Sequence, residues 1–232
     1  MSDGTQLTLA VHLRDDATLE NFLFPEKLAP LRAALETQIE PAGEAMLLVH
    51  GPAGAGRSHL LQAACHRVAP GEALYLPLRD LVDMPAGEVL AGTERMRLIG
   101  LDDLGAVVGR AAWEEALFHL VNRARGSGCR LVMSADRPPR HLGVRLADLE
   151  SRLNWAVVFQ LPELTDEEKC AVLQLRARRR GMGLSDGAAN YILSRSARSV
   201  GELMELLERL DRASMAARRQ LSIPFIKNTL DW

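Results

Sequence analysis

The residues best suited to chemistry form one unbroken run, Gly51-Pro52-Ala53-Gly54-Ala55-Gly56-Arg57-Ser58. It matches the phosphate-binding pattern G-x-x-x-x-G-K-[ST] everywhere except at Arg57, where the pattern has lysine. Glycines at Gly51, Gly54 and Gly56 free the backbone to take positive φ and to aim successive N–H groups inward, so that a phosphate sits at the positive end of the next helix. Ser58 offers a hydroxyl to a Mg²⁺ ion beside those phosphates. An ordinary glycine-rich turn is the plain alternative. The context favours the phosphate reading: an apolar run from Met46 to Val49 precedes the loop, and Leu60, Leu61, Ala64, Cys65 and Val68 recur at helical spacing after it. Arginine in place of lysine shifts the expectation from fast turnover toward binding, because guanidinium is larger, planar and inclined to bidentate contacts.

A second acidic signature follows a third apolar run, Arg97 to Leu101, which ends in Asp102-Asp103. Paired acids also end strands for solvation alone. Beside a phosphate loop, a carboxylate at the end of a neighbouring strand suits Mg²⁺ held through water, and Asp102 is that candidate. Asp103 is placed to polarise a water, but its side chain is shorter than that of glutamate.

Composition narrows the classes. The chain has 232 residues, 47% hydrophobic content and a formal net charge of −2, enough for a full core and without the basic field of a dedicated nucleic-acid binder. Cys65, Cys129 and Cys170 lie far apart and the six histidines show no H-E-x-x-H pairing, which argues against disulfide scaffolds and zinc sites. No apolar run approaches the roughly 20 residues of a membrane span, and the N-terminus lacks a basic-then-apolar leader, so a cytoplasmic protein is expected.

The elements that must position these residues alternate. Strands are expected near residues 46–49, 73–76, 97–101, 130–134 and 156–161, separated by helices, which predicts an α/β fold with a parallel, doubly wound sheet. Ser134-Ala135-Asp136-Arg137-Pro138-Pro139 then falls at the carboxyl edge of the sheet, where ligands bind in such folds. From Pro162 the pattern is helical only. Thr165 with Glu168 and Ser199 with Glu202 read as capping boxes, and Ser185 as a further helix start, giving a small all-α bundle. Arg176, Arg178, Arg179 and Arg180 read as a solvated face. The division expected is an N-terminal arm (1–14), a nucleotide-binding domain (15–162) and a helical lid (163–232). In the arm, Leu7, Leu9 and Val11 alternate, which fits either an edge strand or an extended peptide for a partner.

With these elements in place the chain resembles the AAA+ ATPases, and among them the DnaA-related proteins and their Hda-type regulatory homologues. The resemblance rests on Thr18-Leu19-Glu20-Asn21-Phe22, Gly54 to Leu61, Ser134 to Pro139, Ser151-Arg152-Leu153-Asn154-Trp155, Leu210 to Ser214 and Ile223 to Ile226. It implies an AAA+ P-loop sheet followed by a lid. It also implies adenine nucleotide, ADP or ATP, with Mg²⁺, contacted by Gly51, Gly54, Ala55, Gly56, Arg57, Ser58 and His59, with Ser58 and Asp102 serving the metal. Ser134 or Asp136 would be the first sensor, and Arg152 aligns with the arginine finger that one subunit inserts against a neighbour's γ-phosphate. The second sensor position falls on Gly201, not arginine, with Arg198 three residues earlier as a substitute. Gln6-Leu7-Thr8-Leu9, followed by Ala10-Val11, is similar to the sliding-clamp-binding peptide at the N-terminus of the Hda-type proteins.

What the resemblance implies is a negative regulator of replication initiation that binds ADP and stimulates hydrolysis of DnaA-bound ATP through Arg152. Its partners would be the DnaA initiator and the DNA polymerase III sliding clamp, with DNA met through the clamp; no helix-turn-helix extension is seen after the bundle. An autonomous AAA+ ATPase or helicase-loading factor is the alternative. Arg57, Asp103 and Gly201 weigh against it. Self-association is left open.

Overall fold

The computed structural model describes residues 13–197, 199–217 and 219–232. Two compact units divide the chain, one made of residues up to Leu19, Phe24–Pro52 and Arg57–Leu161, the other of Glu20–Leu23, Ala53–Gly56 and Pro162–Trp232.

The first unit is built on a parallel sheet of β1 (Met46–His50), β2 (Ala73–Pro77), β3 (Leu98–Asp102), β4 (Arg130–Ala135) and β5 (Val157–Gln160), ordered β2-β3-β4-β1-β5. Its helices are α1 (Ala29–Thr37), α2 (Arg57–His66), α3 (Leu78–Leu81), α4 (Ala86–Val89), α5 (Ala111–Ser127) and α6 (Ala147–Leu153). The central strands read as near-continuous apolar runs because helices flank the sheet. Leu47, Leu48 and Val49 of β1, Ile99 and Leu101 of β3, and Val132 and Met133 of β4 are fully buried. Pairing sets Val49 beside Ser134 and Pro77 beside Asp102. Parallel pairing therefore delivers the phosphate loop, Asp102 and Ser134 to one edge, the carboxyl ends of three neighbouring strands.

Two short helices, α3 and α4, fill the connection between β2 and β3, where the sequence carries too few residues for helical periodicity to declare itself. They bring Leu78, Leu81, Ala86 and Val89 into the core that holds Trp113, Leu117 and Leu120 of α5. Glu114 of α5 is a carboxylate only 2% exposed, and its two oxygens accept from the backbone N–H of Gly109, Arg145 and Leu146. Those last two residues lead into α6, so a side chain from one helix holds the backbone just ahead of another.

The second unit contains α7 (Asp166–Arg179), α8 (Asp186–Arg195), α9 (Val200–Ala217) and α10 (Ile223–Leu230) around Leu173, Ile192, Leu203, Leu207, Leu210 and Ile226. Thr165 caps α7 in a reciprocal box with Glu168, as its sequence spacing predicts, and Ser185 caps α8. At α9, Ser199 accepts from the Glu202 N–H, while the Glu202 carboxylate reaches the Ala197 N–H. One expectation fails here. Arg176 is 5% exposed and belongs to the interior of this unit, and Arg180 pairs with Asp211 at 3.5 Å, so the arginine run is not a uniformly solvated face. Helical geometry splits it: Arg178 lies about 200° around the helix from Arg176, so the arginines cannot all share one face.

Candidate functional site

The loop after β1 carries the backbone that phosphate binding needs. Gly54 and Gly56 take φ of +77° and +94°, and a Cβ at Gly56 would stand 2.6 Å from the Phe22 ring. Neither position tolerates a branched side chain without rearrangement. Arg57 opens α2, and its Nη1 is buried with no hydrogen-bond partner among the described residues. A buried, unsatisfied guanidinium nitrogen at the end of a glycine loop is what a phosphate oxygen would complete, so the residues present fit a nucleotide phosphate. His50, at the end of β1, is held below its ordinary pKa by burial and then by the Arg57 charge, so its ring stays neutral near the loop.

Across the sheet edge runs a chain of hydroxyls and carboxylates. Gly100 of β3 lies opposite Tyr75 of β2, and with no side chain there the Tyr75 ring passes over it, its Cδ2 3.5 Å from where a Cβ would be. Asp102 is two residues along the same face. The Tyr75 hydroxyl donates to Asp102 Oδ2 at 2.6 Å, and the Ser134 hydroxyl donates to Asp102 Oδ1. Ser134 Oγ in turn accepts the Asp103 N–H at 2.8 Å. Burial first, then the Asp102 charge and hydrogen bond, push the Tyr75 phenol well above its ordinary value, while the neighbouring polar groups of Gln62 and Ser58 work in the opposite direction. Tyr75, Asp102 and Ser134 are thus connected by hydrogen bonds. Each Asp102 oxygen keeps a lone pair after accepting one hydrogen bond, which suits contact with a water of a hydrated Mg²⁺, and Ser58 is exposed on the first turn of α2.

The remaining expected residues are placed as follows. Asp103 adopts a left-handed conformation, φ 61°, and Arg79 binds its carboxylate, Nε to Oδ2 at 2.7 Å. Its charge is committed to an ion pair. Asp136 pairs with Arg137 at 2.8 Å; that hydrogen bond first, and the Arg137 and Arg57 charges with it, hold its carboxyl below the usual range against the opposing effect of burial. The His59 ring meets the Thr18 carbonyl at 2.8 Å. Gly201 has open space where a Cβ would stand. Arg198 and the arm residues Gln6, Leu7, Leu9 and Val11 lie outside the described residues. Burial pushes the Cys65 thiol up to about 12 and Cys129 to about 11, which keeps both protonated and unreactive.

Arg152 sits near the end of α6. Its Nε donates to Asn122 Oδ1 at 2.9 Å, and its guanidinium lies 4.2 Å over the Trp155 ring, which Arg125 also approaches at 4.7 Å. Trp155 stays 46% exposed. Tyr75, Glu114 and Asn122 are residues that motif reading misses. The one signal for the last two is their spacing of eight, near two helical turns, on the strip of α5 beside its apolar face.

Comparison with known proteins agrees with this geometry. A family model described as the lid domain of Hda matches residues 166–230, and one described as the bacterial DnaA ATPase domain matches residues 91–160. An uncharacterised protein of Haemophilus influenzae is 42% identical over 229 residues, covering 97% of this chain and 98% of that one. Domain III of the replication initiation protein DnaA from Thermotoga maritima superposes with a TM-score of 0.76 at 22% identity, covering 95% of this chain and 98% of that one. AMPPCP-bound DnaA from Aquifex aeolicus gives 0.71 at 22% identity over 84% of this chain and 65% of that one. The RuvB branch-migration motor of Thermotoga maritima gives 0.66 at 19% identity, covering 93% and 71%. With its five-stranded parallel sheet, its phosphate loop and its C-terminal helical lid, the chain belongs to the DnaA-homologous AAA+ proteins of the Hda type.

Proposed function

We propose that the protein holds an adenine nucleotide, ADP in its working state, as a structural ligand, and acts on a second AAA+ protein, the DnaA initiator, by stimulating hydrolysis of the ATP bound there. The observation that carries this reading is the contrast between two arginines. Arg57, in the chain's own phosphate loop, is drawn inward with a buried nitrogen awaiting an anion. Arg152 makes a hydrogen bond through Nε alone, and among the described residues neither of its Nη groups donates one.

The chemistry divides accordingly. At the chain's own site, the Gly54–Gly56 backbone and Arg57 bind phosphates, Ser58 and Asp102 hold hydrated Mg²⁺, and Tyr75 and Ser134 fix the Asp102 carboxylate. Mg²⁺ supplies charge neutralisation between phosphate oxygens when bound. Asp103, tied to Arg79, is poorly placed to orient an attacking water, so intrinsic turnover is slow. At the partner's site, Arg152 supplies a guanidinium in trans to a transition state whose charge is spread over phosphoryl oxygens, an effect of roughly 10³ to 10⁵ in rate for such fingers. The arm, through Gln6, Leu7, Leu9 and Val11, binds the sliding clamp and concentrates the protein where DNA has just been copied.

The test is hydrolysis of DnaA-bound ATP in the presence of DNA-loaded clamp, comparing wild type with Arg152→Ala. The variant should keep its fold and its nucleotide affinity and lose the stimulation, by about 3 kcal/mol or more in activation free energy. Vigorous clamp-independent turnover by the isolated protein would instead support an autonomous ATPase, the reading favoured by the connected Tyr75, Asp102 and Ser134 groups.

A further inference from the structure

Helix α2, whose first turn follows the phosphate loop, carries a second attachment along its side. His59, Gln62 and His66 follow at intervals of three and four and so share one face. The backbone of residues 14–18 lies along that face and runs opposite to the helix. His59 Nε2 donates to the Thr18 carbonyl at 2.8 Å, Gln62 Oε1 accepts the Arg14 N–H at 2.9 Å, and His66 Nε2 donates to the Arg14 carbonyl at 3.0 Å. Ala17, between these ties, is fully buried. Arg14 is thus where the arm joins the fold, its N–H and its carbonyl both held by side chains one turn apart on a single helix.

Gln62 is the member of this set that also faces the nucleotide site. It is 7% exposed and stands one turn after Ser58. A primary amide has two ends, an oxygen that accepts and an NH₂ that donates. The oxygen is committed to Arg14, and the same side chain neighbours the Tyr75 hydroxyl, which donates to Asp102 at 2.6 Å. Three side chains, Gln62, Tyr75 and Asp102, therefore lead from the root of the arm to the carboxylate that serves Mg²⁺. Buried polar groups in series polarise one another, so a change in what Asp102 contacts alters the strength of the hold at the other end.

We propose that Gln62 couples the arm to the nucleotide site: nucleotide at the phosphate loop tightens the hold of Gln62 on Arg14, and a firmly held Arg14 presents the arm to its partner. This rests on the nucleotide-binding and clamp-binding roles set out above. The two states are Arg14 held and Arg14 released. In the released state the root of the arm is free to wander, and binding a partner then costs the ordering of that root as well. A nucleotide that favours the held state removes this cost, and by reciprocity the partner strengthens nucleotide binding by the same factor. His66 supports the held state from two turns beyond Ser58, so its loss weakens the coupling without touching the phosphate site.

The experiment is titration calorimetry on the full chain: ADP with Mg²⁺ in the absence and presence of saturating purified clamp, and clamp in the absence and presence of ADP. In wild type each ligand should tighten the other by about fivefold or more, with the same factor in both directions. Gln62→Leu, close in volume and compatible with a helix, and His66→Ala should both bring that factor toward one, and His66→Ala should leave the affinity for ADP alone as in wild type. A second measurement needs no partner. ADP should slow hydrogen exchange of the Arg14 amide by about fivefold or more in wild type and leave it unchanged in Gln62→Leu. The proposal is overturned if wild type shows no mutual factor, if the factor persists in both variants, or if Arg14 exchange ignores ADP. Should the clamp fail to bind wild type, the arm reading falls, and Arg14 exchange still decides whether nucleotide reaches the root of the arm. Failure of ADP to bind would overturn the nucleotide reading and the coupling together.

Discussion

The Tyr75 hydroxyl and the Asp102 carboxylate are joined across two neighbouring strands by a 2.6 Å hydrogen bond, on a face cleared for it by Gly100. The acid at the phosphate edge is therefore fixed by the strand beside it before any ligand arrives. Tyr75→Phe keeps the ring and deletes the donor. A hydrogen bond to a charged group contributes about 1.5–3 kcal/mol, so the denaturant midpoint should fall by that equivalent with the slope unchanged. An unchanged midpoint would mean that Asp102 is held by Ser134 alone.

The glycine loop gives a sharper test of the nucleotide site. Gly56→Val introduces a β-branched side chain at φ +94° and presses its Cβ toward the Phe22 ring. ADP and ATP affinity should drop at least about tenfold, the equivalent of ~1.4 kcal/mol. Titration calorimetry with both nucleotides checks this. Wild-type affinity in the variant would place the phosphates elsewhere.

Glu114 makes stability depend on pH. Burial by itself would raise its carboxyl, but the N–H groups of Gly109, Arg145 and Leu146, together with the Arg145 charge, outweigh it and hold the group below its ordinary value of 4.5. A carboxyl depressed in the folded state contributes fully above the unfolded value and loses that contribution as pH falls through the lowered one. Glu114→Gln should therefore cost about 1–3 kcal/mol at neutral pH, and the gap from wild type should narrow as acid is added below about 4.5. Urea unfolding at a series of pH values measures it. A gap independent of pH would assign the loss to shape rather than charge.

The arm is tested apart from the fold. Gln6→Ala combined with Leu9→Ala should abolish clamp binding in a pull-down with purified clamp while melting temperature and nucleotide affinity stay as in wild type. Retained clamp binding together with a loss of several degrees would make the arm a strand of the protein's own sheet.

The parts legible in the sequence are those governed by local rules. The phosphate loop announces itself because its glycines, its flanking strand and its helix are contiguous. The strands of the sheet declare themselves because burial on both faces leaves nearly unbroken apolar runs, as in Leu47-Leu48-Val49. Caps at Thr165 and Ser185 follow from spacing alone. What stayed hidden depends on partners distant in sequence. Tyr75 reads as one more strand aromatic until Gly100 and Asp102 are beside it. Glu114 and Asn122 look like the solvent side of an amphipathic helix, since nothing local says that α6 will cover them. Arg176 reads as exposed for the same reason, its charge suggesting water where the structure gives it the interior of the helical unit.

The strip on α5 also behaves as a ruler. Glu114 meets the approach to α6 and Asn122 meets Arg152 near its end, so an interval of eight positions on α5 is set against one of six, from Leu146 to Arg152. An α-helix turns by about 100° and advances about 1.5 Å per residue. One alanine inserted after Ala116 would leave α5 helical by circular dichroism, yet swing Asn122 a quarter turn or more away from Arg152 while Glu114 kept its hold. Lengthening a surface loop would leave both grips in place, whereas a change of residue count within this interval of α5 would break one of them.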